Sequence, residues 1–438
     1  MADTKSKTLI IALDAVSSVF FNPMYDAGEL PNLASFFSDG LRVRSCIGVF
    51  PTVSPCNHGL VTYGLGPGKS NLVGLSWFNK RTHKYFNELS LGGILADLNK
   101  GIKSRNIFES SRHSLAFGPQ LSRGSRTVLP IYATFAFGMA DWATRLECLF
   151  IRNLNVPLNI YDNVYFGSLS SDHVGHAQGI DGIRENLKSL DSAFGELFKK
   201  LPADINVVIF SDHGNSPIDS DKAVRLGDIL KDAGYRPTKR LREPDDCVIC
   251  STVVTYAHIY ANGPTKRLAQ ALCGAPGVGI AMWRDREDGS IVVGNSDGIA
   301  RVRRSLNRYS YTPEDADPLG YSSTDAKPGE WLTLKGWASV TYRETFPAAP
   351  PRIFDLFDSP NTGDVVLNFT GGHYPYFAGI SQKCTHGSLH RDNITVPVLA
   401  RGPRVKPGLL DWGVHEQLHT LLRDCVGDHP ASATRVSL

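Results

Sequence analysis

The chain has no uncharged apolar run of the roughly 18 residues needed to cross a bilayer as a helix. The nearest stretch, 131–151, carries Asp141, Arg145 and Glu147 and reads instead as an amphipathic lid helix. Excess charge is also missing: a net charge of +3 over 438 residues argues against a dedicated nucleic-acid surface. No export signal is evident, because the short apolar run after MADTKSK is interrupted at Asp14 and no small-residue cleavage pattern follows. The eight cysteines are scattered, and Cys247 and Cys250 form a lone C-x-x-C without a second pair or nearby histidines. Reduced structural thiols and a cytoplasmic location are therefore expected. Neither an internal repeat nor a low-complexity run is found.

What is present is a set of short, unbroken apolar runs, each followed by a polar residue suited to chemistry. Residues 8–13, 41–50, 205–210 and 394–400 read as strands buried on both faces of a parallel sheet. In 181–201, Ile183, Leu187, Leu190, Phe194 and Leu197 recur at spacings of four and three, which predicts an amphipathic helix. Such alternation implies an α/β fold with a mostly parallel central sheet and helices on both faces. The expected core comprises 1–235 plus 362–438, including a possible lid insertion at 101–158. Residues 236–361, with several short strands around one helix, are expected to form a small inserted α+β cap. The tract 309–360 reads as an irregular surface connection.

Ligands of such sheets bind beyond the carboxyl ends of the strands. Asp14, Ser54, Asp172 and Asp212 each follow a predicted strand, so residues far apart in sequence converge on one rim. Asp172 and His176 are four apart and share a face if a helix begins there. Asp212 and His213 are adjacent at a strand end, and His386 stands in THGS near the carboxyl terminus. Three aspartates, three histidines and one hydroxyl are the donor types of a two-metal phosphoryl-transfer site. Singly, each has an ordinary alternative: a helix cap for Asp172, a turn residue for Asp14 or His386, a hydrogen-bonded core histidine for His213. Their joint, ordered occurrence favours the site.

The ordered set resembles the alkaline phosphatase superfamily, and within it the type I phosphodiesterase/nucleotide pyrophosphatase branch. The stretches that carry the resemblance are LIIALDAV with Asp14, FPTVSPCNHGLVTYGLGP at 50–67, SDHVGHAQG at 171–179, VIFSDHG at 208–214 and THGSLHRDNITVPVLARGP at 385–403. The insertions at 101–158 and 236–361 carry no matching motif. The resemblance implies an alkaline-phosphatase-like fold and two zinc ions, with manganese or iron as alternatives. Asp14, Ser54, Asp212 and His213 would hold one ion, and Asp172, His176 and His386 the other. It further implies Ser54 as nucleophile, with Thr52 as the rival hydroxyl, and a small phosphate ester as substrate, nucleotides included.

One departure concerns substrate. The branch carries a phosphate-binding asparagine about twenty residues after the nucleophile, where this chain has Leu75, with Asn71 and Asn79 nearby. Asn57, Trp77, Phe78 and Asn79 are the candidate substrate contacts, and His373 and His390 are further histidines near the last ligand. No arginine completes a sulfatase C/S-x-P-x-R motif, and the mutase signature G-N-S-x-x-G-H is missing. A phosphomonoesterase or phosphonate hydrolase on the same core is the alternative activity. A catalytically silent metal-binding scaffold is the alternative class. The sequence leaves the oligomeric state open.

Overall fold

The computed structural model describes residues 7–94, 96–109, 113–118, 121–128, 140–263, 265–377 and 381–427. Eight strands build the core sheet: β1 (Thr8–Leu13), β2 (Leu41–Ile47), β3 (Ser114–Phe117), β4 (Arg126–Val128), β5 (Asn163–Ser168), β6 (Asn206–Ser211), β7 (Thr395–Arg401) and β8 (Gly408–Val414). Their spatial order is β8-β2-β7-β6-β1-β5-β3-β4. Only β7 opposes its neighbours; every other pairing in this sheet is parallel. Every residue of β1, β5 and β6 is buried, which is why these segments read as continuous apolar runs rather than alternating ones.

Register positions the site. Leu13 of β1 pairs with Ser168 of β5 on one side and Ser211 of β6 on the other. The three central strands therefore end level, and the chain leaves the sheet at Asp14 and Asp212 on the same rim.

Helices cover both faces. They include α1 (Ser54–Tyr63), α2 (Ala140–Arg152), α3 (Ser170–Gln178) and α4 (Ile180–Phe198). The stripe Ile183, Leu187, Leu190, Phe194 and Leu197 of α4 is almost completely buried, as its spacing predicts. It packs with Phe21, Leu33 and Ile151 against one face of the sheet. The opposite face packs against Val61 of α1 and Leu418 and Leu422 of the helix His415–Val426.

A second, nine-stranded sheet is antiparallel apart from its first pair. It runs from Arg236–Pro237 to Leu332–Thr333. Three expectations change here. Strand Val365–Phe369 lies in the middle of this sheet, between Tyr256–Ala261 and Val278–Arg284, so the inserted unit extends past 362.

The tract 309–360 is a packed segment, not a surface connection. Its helices Leu334–Thr341 and Ala349–Phe357 place Trp337, Ile353 and Leu356 in the largest apolar cluster. The proline and tyrosine content concealed that apolar periodicity.

Residues 101–158 are not a separate lid either, since β3 and β4 extend the core sheet and α2 packs Cys148 and Ile151 into its core. The first part of the expected lid helix, 131–139, lies outside the described residues. Cys247 and Cys250 sit on opposite faces of one strand, in different apolar clusters, and all eight cysteines are unpaired. No described helix is long and apolar enough to cross a membrane.

Candidate metal centre and nucleophile

Asp14 follows β1, with its amide donating to the Ser168 carbonyl of β5 at 2.8 Å. The Ser211 hydroxyl locks the two neighbouring strand ends together, accepting from the Val16 amide at 2.9 Å and donating to the His213 carbonyl at 2.6 Å. Asp212 and His213 thus leave β6 as a turn, and both side chains reach the same point as Asp14. Asp14, Asp212 and His213 offer three ligand atoms within 4.8 Å of one another. Asp172, His176 and His386 offer a second such group. These two groups coincide with the division that the resemblance implies for the six carboxylate and imidazole donors.

Asp172 and His176 lie one turn apart on α3, with Oδ2 and Nε2 3.1 Å apart. His386 comes from the loop before β7. Because β7 is antiparallel, its beginning lies on the rim where the other strands end, and His386 joins residues that follow those strands. Gly387, next to it, has φ of +117°, and a Cβ there would stand 2.7 Å from the Tyr256 ring, so only glycine fits the bend.

The three histidines share one orientation. Nδ1 of His176 donates to the Cys384 carbonyl at 2.7 Å, that of His386 to the Thr52 carbonyl at 3.0 Å, and that of His213 to the Gly214 carbonyl at 3.1 Å. Each bond leaves Nε2 facing the carboxylates, the arrangement of metal-ligating imidazoles. His213 Nε2 lies 3.3 Å from Asp14 Oδ1 and 3.6 Å from Asp212 Oδ2, and His386 Nε2 lies 3.7 Å from Asp172 Oδ1. The His213 and His386 rings stack with centroids 4.0 Å apart, placing the two clusters side by side.

The donor set fits bound cations. Asp14 Oδ1, Asp172 Oδ1 and Asp212 Oδ2 are buried and have no hydrogen-bond partner. Each such oxygen costs free energy unless a cation satisfies it. Burial, and then the charges of Asp212 and Asp172, push the Asp14 carboxyl well above the ordinary carboxylate range. Burial alone would raise Asp172 too, but His176 and His386 outweigh it and hold the group far below that range. The same pairing lifts His176 against the effect of its burial, whereas burial beside His213 pushes His386 down to about 3. Both clusters are tuned by their neighbours' charge, as sites built for multivalent cations are.

Ser54 opens α1, and its Oγ lies 3.3 Å from His213 Nε2. Thr52 is placed differently. It is fully buried, donates to the Ser388 carbonyl at 2.9 Å and accepts from the Gly387 amide at 2.9 Å.

Three of the expected substrate contacts are engaged within the protein. Asn57 is fully buried, its Oδ1 accepting from Val49 N and its Nδ2 donating to the Val53 carbonyl. Phe78 is fully buried against Tyr260. Asn79 bonds Thr82 and Asn361. Trp77 is half-buried and stacks on Phe86 with centroids 4.0 Å apart, leaving its face already covered. Asn71, the other candidate for a phosphate contact, accepts from Ser359. His373 and His390 line a neighbouring cavity of about 220 Å³ with Ser216 and Asp392.

Two supporting groups were not singled out from sequence. His58 Nε2 is 3.5 Å from Asp212 Oδ2, while its Nδ1 bonds the Tyr165 hydroxyl at 3.0 Å. Glu147 of α2 is fully buried and accepts from the Ser168 hydroxyl and Leu169 amide, both at 2.6 Å, and from the Ser170 amide at 3.0 Å. It thereby caps the helix that carries Asp172 and His176. His58 fell within a quoted motif, but Glu147 gave no local signal, because its partners lie about twenty residues downstream.

The mostly parallel core sheet thus carries two adjacent carboxylate–imidazole donor clusters on one rim. Residues 8–331 match the family described as type I phosphodiesterase/nucleotide pyrophosphatase, and the chain belongs to that family. It is 24% identical over 247 residues to bis(5'-adenosyl)-triphosphatase ENPP4 of Pongo abelii, covering 52% of each chain. It is 25% identical over 279 residues to an uncharacterized pyrophosphatase/phosphodiesterase of Schizosaccharomyces pombe, covering 58% of this chain and 55% of the relative. The chain spans about half the length of these curated relatives. Among solved structures, murine ectonucleotide pyrophosphatase/phosphodiesterase 5, an inactive form in complex with AMP, superposes with a TM-score of 0.63 at 15% identity. That match covers 99% of this chain and 97% of the other.

Proposed function

We propose that the protein is a metal-dependent hydrolase of phosphodiesters or nucleotide pyrophosphates that works through a covalent phosphoseryl intermediate on Ser54. The observation that carries this reading is the set of buried, unpartnered carboxylate oxygens facing histidine Nε2 atoms, directly beside the Ser54 hydroxyl. Asp14, Ser54, Asp212 and His213 would hold one ion, and Asp172, His176 and His386 the other. The nitrogen and oxygen donors suit zinc, with manganese or iron as alternatives. When bound, such ions lower the pKa of a coordinated hydroxyl and stabilise the charge that develops on phosphoryl oxygens.

Ser54, at the amino terminus of α1, presents Oγ where the helix dipole favours an anionic substrate. Its oxygen attacks phosphorus in line; the Oγ–P bond forms as the bond to the leaving oxygen breaks, releasing an alcohol or a nucleotide. Water then cleaves the Oγ–P bond, returning the serine hydroxyl and releasing the phosphate product. His213 Nε2 lies 3.3 Å from Oγ, so both atoms could face one ion.

Diesters are favoured over monoesters for a reason of charge. Among the described residues, those acting most strongly on Asp14 and Asp172 are carboxylates and histidines, a setting that suits the single charge of a diester better than the double charge of a monoester. The unpaired cysteines support the cytoplasmic placement we propose. The decisive comparison is kcat/KM for bis-nitrophenyl phosphate against nitrophenyl phosphate on metal-loaded protein. A diester preference is expected; a monoester preference would replace this reading with a phosphomonoesterase. No turnover with full metal content would favour the silent scaffold.

A further inference from the structure

The edge of the second sheet folds into a groove lined by four cations. Strand Arg236–Pro237 is the outermost of that sheet and pairs in parallel with Asp246–Cys250. The loop between them is held at three points. Leu241 is buried with Phe78, Val248 and Tyr260, while Arg240 and Arg242 on either side of it are exposed. The Thr238 hydroxyl closes a tight turn, accepting from the Arg240 amide at 2.8 Å and donating to the Arg240 carbonyl at 2.7 Å. Asp246, almost completely buried, accepts from the Arg242 and Glu243 amides, both at 2.8 Å, and from Arg236 Nε at 2.7 Å.

These anchors shape an open groove of about 350 Å³, lined by Arg236, Thr238, Lys239, Arg240, Arg242 and Asp246. The one carboxylate in the lining is already engaged: its Oδ2 holds the two loop amides and its Oδ1 holds Arg236. Asp245, next to it in sequence, faces Arg267 at 3.8 Å instead of the groove. Lys239, Arg240 and Arg242 are exposed, and among the described residues none of their side chains has an ion-pair partner. Three unpaired cations therefore share one concavity in a chain whose net charge is only +3. Their mutual repulsion is relieved by a multiply charged anion.

We propose that this groove is a second anion site, separate from the donor clusters, for a small ligand carrying two or more linked phosphate groups, such as inorganic pyrophosphate. The guanidinium forks of Arg240 and Arg242 match pairs of phosphate oxygens, and Lys239 adds a point charge. None of the lining residues is aromatic, so the groove reads phosphate charge and not a base. Its volume suits a small ligand better than an extended polyanion. The lining shares no residue with the donor clusters, and the proposal does not depend on the reading of Ser54.

The test is calorimetry on the full-length, metal-loaded protein with methylenediphosphonate, in which a P–C–P bridge replaces the hydrolysable P–O–P bridge of pyrophosphate. Any binding at the donor clusters is common to all variants, so differences between variants report the groove. Arg240→Ala/Arg242→Ala should weaken one binding event roughly tenfold or more, and Arg240→Lys/Arg242→Lys should be intermediate. Lys335→Ala/Lys406→Ala, which removes equal charge from elsewhere on the surface, should stay within about twofold. The kcat/KM for bis-nitrophenyl phosphate should not change in Arg240→Ala/Arg242→Ala. Unchanged affinity in that variant, or an equal loss in the lysine control, would overturn the proposal. A matching loss of turnover would join the groove to the substrate site and end its separate role. Sedimentation with anionic phospholipid vesicles that is lost in Arg240→Ala/Arg242→Ala, without binding of methylenediphosphonate, would replace the small ligand with a membrane surface. If the double variant does not fold, Lys239→Glu should give the same weakening, and unchanged affinity there would overturn the proposal.

Discussion

The imidazole of His386 donates from Nδ1 to the main-chain oxygen of Thr52 at 3.0 Å, joining residues 334 positions apart. One bond both orients a proposed ligand of the second cluster and anchors the segment that presents Ser54. The Thr52 hydroxyl completes the clamp by accepting from the Gly387 amide.

This clamp separates the two hydroxyls near the site. Ser54→Ala should lose several orders of magnitude in turnover and still bind two metal ions, read by steady-state kinetics and elemental analysis. Thr52→Val should lower thermal stability, because it strands the Ser388 carbonyl and Gly387 amide at about 1–3 kcal/mol for each group, while retaining most of the chemical rate. A Thr52 variant with the Ser54→Ala phenotype would reassign the nucleophile.

Asp212 gives a different signature. Asp212→Asn should lose metal at the cluster with Asp14 and His213, and an added chelator should abolish wild-type turnover, restored by zinc. Full occupancy in that variant would take Asp212 out of the ligand set.

Glu147 touches no donor atom yet holds the start of α3 through two amides and a hydroxyl. Glu147→Ala should weaken metal binding at Asp172, His176 and His386 roughly 10–100-fold, with Glu147→Gln intermediate because it keeps one acceptor oxygen. Competition with a chromogenic chelator reads this directly; unchanged affinity would confine Glu147 to a structural role.

His258 predicts the acid side of the stability curve. It is fully buried far from the donor clusters in sequence, donating to the Val73 carbonyl at 2.8 Å and accepting from the Gly363 amide at 3.1 Å. Burial lowers it to about 4 from the ordinary 6.5. Between those values the unfolded chain binds a proton that the folded one refuses, so stability is complete above the upper value and falls as pH drops towards the lower, by up to ~3 kcal/mol. Tm should decline across this window, and His258→Asn, though less stable at neutral pH, should show a flatter slope. An unchanged slope would assign the acid sensitivity to other groups.

Much of the site was legible because its residue types are chemically constrained. Carboxylate oxygens and imidazole nitrogens are among the few side-chain donors that hold such ions, and they stood after apolar runs that read as buried strands. The substrate contacts were less legible. Asn57 lies three residues after Ser54 and Phe78 twenty-four, but the helical and strand periods turn both inward.

The sequence by itself determined the donor types, the buried parallel strands and the amphipathic stripe of α4, since these follow from local period and residue chemistry. Tertiary structure alone decided that β7 runs against its neighbours, and so that His386, before that strand, meets residues that follow theirs. It also placed Val365–Phe369 in the second sheet and packed Trp337 into the largest apolar cluster. Strand direction and sheet membership depend on pairing between distant segments, and hydrophobic period carries no information about which partner a strand will find.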